Sequence, residues 1–260
     1  IAFWKKQLNS PLADMQALAL RKLSDADYKD IIPLLEESYY HSDSFMVRLE
    51  ALRLMVLNHP AKSVKIIQSA LNDSYELIRR YAGEYAEKNG SPSLIPAWVN
   101  AYLQRSQEKR LRFKVINGVD AFPYADVKAE IEKQAALMTL YNRDHVDALL
   151  AQLPRQEASM ERDIETITNP KSKASYVRRD LRTFRNHPVG GKPLDTILAF
   201  LSDDSRPTDQ RIIAAEVLGW YSLYHAKERI IASLKDTKAD DEALKKEIQK
   251  SIARLEGKNR

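Results

Sequence analysis

The residues that could do chemistry are few and scattered. The five histidines are His41, His59, His145, His187 and His225. An imidazole serves as metal ligand or proton shuttle when a second ligand or base shares its pocket. No two of these stand four residues apart on one helical face, so each reads as turn or helix-end packing. Carboxylates pair at Glu36-Glu37 and Asp203-Asp204. Acid–base work needs two such groups in one pocket, and these fall at solvated helix ends. Gly190-Gly191-Lys192 fails as a phosphate loop: Asn186 stands where the first glycine is needed and Pro193 where Ser or Thr must follow the lysine. It reads as a hinge. No nucleophile elbow occurs, and there is no cysteine to bridge, bind zinc or attack a carbonyl. The expectation is a chain that is not an enzyme, with no cofactor and no metal site.

Basic and aromatic runs offer binding chemistry instead. Residues 105–114 hold Arg105, Lys109, Arg110, Arg112 and Lys114 against Glu108, a balance of +4. Residues 171–185 hold Lys171, Lys173, Arg178, Arg179, Arg182 and Arg185 against Asp180, a balance of +5. Such a ridge suits an acidic peptide, a carboxylate-bearing surface or a nucleic-acid backbone. Tyr81 and Tyr85 lie one turn apart and offer an aromatic patch beside Arg79 and Arg80. The candidate binding residues are therefore Arg79, Arg80, Tyr81, Tyr85, Lys109, Arg110, Arg112, Lys114, Arg178, Arg179, Arg182 and Arg185. The plainer reading makes the charges a solvated face laced by inter-repeat ion pairs, and the tyrosines core.

What positions these residues is a repeated helix. The pattern is an apolar residue, Arg or another polar residue, two free positions, then a small or apolar residue. Its second position falls at 16, 48, 79, 112, 178, 211 and 245, at intervals near 33 with one double interval. A divergent copy is expected near His145, followed by Ala148, Leu149 and Leu150. Between Phe45 and Asn58, the residues Val47, Ala51, Leu54 and Met55 fall on one helical stripe. Partner stripes include Ile31, Leu34 and Leu35; Ile95, Trp98, Val99 and Tyr102; and Leu194, Ile197 and Leu201. Sustained strand alternation is absent.

Punctuation agrees with this plan. Ser10-Pro11 and Ser91-Pro92 suit helix starts. Asp73 with Glu76 resembles a capping box, and Gly90 suits a left-handed helix end. His59-Pro60 and His187-Pro188 close helices, while Pro33 and Pro96 must sit near a helix start or impose a kink. Paired helices are expected near 1–9 and 11–23, 26–40 and 44–58, 60–72 and 75–89, and 91–104 and 107–121. They continue near 123–140 and 143–153, 156–168 and 172–187, 191–203 and 207–223, and 225–236 and 239–256. Residues 154–173 form an irregular connection, and 189–193 a loose joint.

These residues resemble HEAT repeats: Asp73 followed by Ile78-Arg79 and Ala82, with the Arg-plus-small pattern repeated over nearly the whole chain. The resemblance implies an all-α fold, a right-handed α-α superhelix (solenoid) of about eight HEAT-like helical hairpins, as one array over 1–260. It implies that the second helix of each pair lines a concave face that binds a protein or peptide, and that the Asp of the motif sits near its Arg. The opening Phe3-Trp4-Lys5-Lys6-Gln7-Leu8 and Gln16-Ala17-Leu18 look like the repeat tails of some bacterial gluzincin aminopeptidases. No His-Glu-x-x-His motif is present, so that likeness implies an accessory domain with its chemistry upstream. The start at Ile1, with apolar Phe3 and Trp4, suits an array truncated at its N-terminus.

Composition fits a stacked helical core. Apolar residues make up 44% of 260, with only 7 glycines. The net charge of +5 permits an acidic partner, nucleic acid included. No apolar run reaches the roughly 20 residues that span a bilayer, and freedom from cysteine is compatible with a periplasm or cell envelope.

Overall fold

One helix pair cannot hide its apolar stripe from water, so hairpins of this kind must shelter one another. The computed structural model describes residues 1–104, 121–137, 143–186, 190–221 and 223–257. All regular structure among them is helical. The chain divides into two compact units, Ile1–Val115 and Ile116–Arg260.

The described part of unit 1 holds α1 (Ala2–Gln7), α2 (Ala13–Asp25), α3 (Ile31–His41), α4 (Phe45–Asn58), α5 (Val64–Ala70), α6 (Glu76–Asn89) and α7 (Ile95–Gln104). Helices α2, α4 and α6 stack one on the next, while α3 and α5 pack against α4 and α6 respectively. The stripe read from the sequence is the buried one: Val47, Ala51, Leu54 and Met55 in α4, and Ile78, Ala82 and Ala86 in α6. Helix α4 also buries Leu52 and Val56, because neighbours cover it on several sides.

The prolines are absorbed at helix starts. Short 3-10 turns at Pro60–Lys62 and Pro92–Leu94 precede α5 and α7, and Pro33 and Pro96 sit in the first turns of α3 and α7. No intrahelical hydrogen bond is lost there, so no kink is needed. Gly90 ends α6 at φ 66°, ψ 13°, the left-handed cap expected of it. Asp73 does not form the capping box. Tyr75 is the N-cap of α6, and Asp73 instead accepts the Tyr75 N–H at 2.8 Å. Asn58 ends α4 and reaches back one repeat, and Asn89 ends α6 and reaches the turn that opens its own hairpin. Asn58 Nδ2 donates to Ser24 Oγ (2.8 Å), and Asn89 Nδ2 to the Pro60 carbonyl (3.1 Å) and Ser63 Oγ (3.3 Å).

The described part of unit 2 holds α8 (Tyr124–Ala135), α9 (Arg143–Thr168), α10 (Ala174–Asn186), α11 (Lys192–Ser202), α12 (Thr208–Gly219), α13 (Lys227–Asp236) and α14 (Glu242–Leu255). Here α10, α12 and α14 stack in turn, paired with α9, α11 and α13. Gly219 makes the α12–α14 contact close. A Cβ there would lie 2.4 Å from Ser251 Oγ and 2.8 Å from Ser251 Cα. Ser251 is fully buried and donates to the Ala215 carbonyl at 2.8 Å.

Unit 2 corrects the expected irregular connection. The helices expected at 143–153 and 156–168 are one helix, α9, with Pro154 inside it. The apolar register explains this. Val146, Leu153, Ile164 and Ile167 are all buried along the same helix, and that continuous stripe outweighs the hydrogen bond Pro154 cannot make. The divergent copy near His145 is therefore not a separate hairpin. The expected helix at 107–121 lies outside the described residues. No helix among the described residues is long and apolar enough to cross a membrane.

Candidate functional site

The arginine of the repeat pattern turns inward, toward the chain's own turns. In unit 1, Arg48 Nη1 donates to the carbonyls of Ser42 (3.0 Å) and Asp43 (3.1 Å) in the turn before α4. Its Nε and Nη2 grip both carboxylate oxygens of Asp73, each at 3.1 Å, in the next repeat's turn. Tyr39 Oη donates to the same carboxylate at 3.1 Å. Burial pushes the Asp73 carboxyl up, but the bonds from Arg48 and Tyr75 outweigh it and hold it below the usual range. Burial, then the Asp73 charge, push the Tyr39 hydroxyl well up. Arg79 repeats the first half of this pattern: Nη1 donates to the carbonyls of Asp73 (2.8 Å) and Ser74 (2.9 Å). In unit 2, Arg211 donates to the carbonyls of Leu201 (2.9 Å) and Lys238 (2.8 Å) and pairs with Asp204 at 3.0 Å. Arg48, Arg79 and Arg211 thus staple their own turns and, at Arg48 and Arg211, the following one, whereas the pattern arginine Arg178 is half exposed and pairs with Asp209.

The outward face of α2, α4 and α6 carries a second charge network. Glu50 is 8% exposed. Its Oε1 accepts from Arg21 Nε (2.9 Å) and Arg53 Nη2 (2.6 Å), and its Oε2 from Arg53 Nε (2.9 Å). Burial pushes the Glu50 carboxyl up, and the two guanidiniums more than reverse this, so it sits below its ordinary value. Arg80 lies over the Tyr81 ring at 5.6 Å, and Tyr81 stacks on Tyr85 with centroids 6.1 Å apart. Burial pushes the Tyr85 hydroxyl up.

The corresponding face of unit 2 is more open. Arg178 of α10 pairs with Asp209 of α12, both about half exposed. Arg185 Nη1 donates to Glu216 Oε1 at 3.0 Å. Arg179 turns to its neighbour Asp180 at 2.6 Å and lies over the Tyr176 ring at 5.2 Å. Trp220, just past α12, is 48% exposed. Its ring has Arg185 at 4.9 Å and Arg254 of α14 at 5.0 Å from its centroid. Two cations on an exposed indole hold a broad apolar surface in place at the water boundary.

The structure sorts the twelve candidates. Arg79 and Tyr85 are buried. Arg80 and Tyr81 are half-buried on the α6 surface. Arg178, Arg179 and Arg185 are each paired with a carboxylate. Arg182 is exposed, with no ion-pair partner among the described residues. Lys109, Arg110, Arg112 and Lys114 lie outside the described residues. Trp220 and Arg254 were missed as site residues, although a signal existed: Arg185, Trp220 and Arg254 stand about one repeat apart. A groove of about 570 Å³ in unit 1 also went unforeseen. It is lined by Lys5, Gln16, Glu37, His41 and Asp43 over Leu20 and Val47.

No protein-family model matches the chain. No curated protein matches it either. The chain is similar to the solved structure of human deoxyhypusine hydroxylase in complex with glycerol, at 12% identity and a TM-score of 0.37, over 91% of this chain and 99% of that one. That structure is an enzyme's, and the expectation that this chain does no catalysis is withdrawn on it.

Proposed function

We propose that the chain is a HEAT-like helical-repeat module that binds a protein segment on the exposed face of its second helices, chiefly in unit 2. We further propose that each unit is a run of stacked HEAT-like hairpins, which the recurrence of the pattern arginine at 48 and 79 and at 178 and 211 supports. The observation that carries the binding reading is Trp220, 48% exposed yet held between the guanidiniums of Arg185 and Arg254. A ring already fixed loses little freedom when a partner covers it. Trp and Arg are the side chains that most often dominate binding energy. The ligand that fits is a segment with an apolar or aromatic side chain for Trp220, flanked by carboxylates for Arg182 and its neighbours.

Nucleic acid fits this face less well. Three of the four arginines of α10 are already neutralised by Asp209, Asp180 and Glu216. A phosphate backbone would have to displace those carboxylates before gaining its counterion-release benefit. Arg80 and Tyr81 are the accessible candidates of unit 1 and form a secondary contact in the same proposal. Whether the basic run with Lys109, Arg110, Arg112 and Lys114 adds to it is tested by charge reversal there.

The test pits a displayed library of random peptides against a single-stranded oligonucleotide, at about 50 mM and about 200 mM salt. Acidic peptides bearing a large apolar residue should be selected, and Trp220→Ala should weaken them by about thirtyfold, as for a hot-spot residue. Binding of the oligonucleotide with no peptide selected, or full affinity in Trp220→Ala, would overturn the reading.

A further inference from the structure

The groove of about 570 Å³ in unit 1 opens where α1, α2 and the end of α3 face the turn before α4. Its volume lies in the range of ligand sites. Leu8 and Leu34, both half-buried, give it apolar walls. Its polar lining offers acceptors that the chain leaves unused. Glu37 and Asp43 are exposed, and neither carboxylate makes a hydrogen bond or ion pair among the described residues. Gln16 spends its Nε2 on the Ser10 carbonyl at 2.6 Å, which leaves Oε1 to accept. The last turn of α3 lines the groove as well, through Ser38 and His41. That helix ends on an extended Ser42 (φ −82°, ψ 131°), without the left-handed turn that would close its final carbonyls. The negative end of the helix dipole therefore adds to the two carboxylates.

The nearby cations are engaged elsewhere. Lys5, the one lysine in the lining among the described residues, lies over the Tyr28 ring at 5.3 Å. Arg48 touches the Asp43 carbonyl at 3.1 Å, but its charge is gripped by Asp73. Carboxylates of one sign over apolar walls concentrate the opposite charge. Among the described residues no group of carboxylates and imidazoles converges to hold a metal ion, so the cation that fits is an organic one.

We propose that this groove binds the arginine side chain of a partner polypeptide, at a site separate from the unit 2 face and independent of it. The alkyl stem of the arginine lies along Leu8 and Leu34, and its head meets Glu37, Asp43 and the Gln16 Oε1. A guanidinium suits several separately placed acceptors, because it carries five donors in a planar fork and is weakly hydrated. An ammonium is compact and holds its water more tightly. The groove thus selects a basic segment where the unit 2 face selects an acidic one.

The test is an amide NMR titration of the full chain, labelled with nitrogen-15, with the blocked peptide acetyl-leucyl-arginyl-leucine amide. Saturable shifts should appear at the end of α3, in the Ser42–Ser44 turn and at the start of α2. Binding should weaken as salt rises from about 50 mM to about 200 mM. The combined variant Glu37→Gln, Asp43→Asn should bind about tenfold more weakly. Both side chains are exposed and unbonded, so this variant should keep the wild-type melting temperature. Trp220→Ala should leave the binding unchanged, which separates this site from the unit 2 face. The proposal is overturned by the absence of saturable shifts at about 10 mM peptide, or by full affinity in the combined variant. It is overturned equally if the citrulline peptide, which is uncharged, or the lysine peptide binds as tightly as the arginine one.

Discussion

The ion pairs of the two units are built from the same residues and put to different use. In unit 1 the Arg48–Asp73 pair and the Glu50 carboxylate are closed off. Arg48 and Asp73 are 14% and 6% exposed, and Glu50 lies buried between Arg21 and Arg53. In unit 2 the pairs Arg178–Asp209 and Arg185–Glu216 cross from one second helix to the next in full view of solvent, at 46% and 52%, and 38% and 30%, exposure. A buried pair cannot lose one partner without stranding the other's charge. An exposed pair contributes little and can trade partners. Unit 1 thus uses Arg48, Arg21 and Arg53 to hold turns and helices together; unit 2 does the same with Arg211 but keeps Arg178 and Arg185 exchangeable near an exposed tryptophan.

The largest effect should come from breaking a closed pair. Asp73→Ala strands Arg48 and removes the acceptor of Tyr39 and of the Tyr75 amide, and should cost about 3 kcal/mol in denaturant unfolding. A loss as small as that of an exposed pair would erase the contrast. Next is Gly219→Ala, whose new methyl must displace Ser251 backbone and side chain alike and should cost about 2 kcal/mol.

The third prediction concerns acid. Asp73 and Glu50 are held below their ordinary values. Their contribution is present above those ordinary values and is lost as pH falls through the lowered ones. Unit 1 should therefore weaken on acidification below about pH 4, and Glu50→Gln should flatten that slope in a melting series. The smallest effect is that of Arg178→Ala, within about 1 kcal/mol of stability, combined with a measurable change in the salt dependence of peptide binding.

Much of the helical plan was legible because burial follows periodicity. The stripe at Val47, Ala51, Leu54 and Met55 is buried as spaced, and Gly90 takes the left-handed cap. Pro154 misled because a local rule about proline competed with a stripe that runs on to Ile167. Asp73 lies six residues before Arg79, which suggests pairing within one repeat, yet its carboxylate goes to Arg48 in the repeat before. In the basic run 171–185 the plainer expectation of inter-repeat ion pairs holds at Arg178 and Arg185, but their partners Asp209 and Glu216 could not be named beforehand, standing a repeat away in sequence and one helix away in space. Charge counted along a segment misses every pair formed across a stack.

Trp220 is where these threads meet, and fluorine NMR of the chain labelled with fluorotryptophan addresses it directly. The chain has 3 tryptophans, with Trp98 fully buried as an internal control, and Trp220→Phe assigns the signal. Addition of a selected acidic peptide should move the Trp220 resonance and leave that of Trp98 in place. A peptide that binds while Trp220 stays unmoved would contradict the exposed second-helix face as the binding surface.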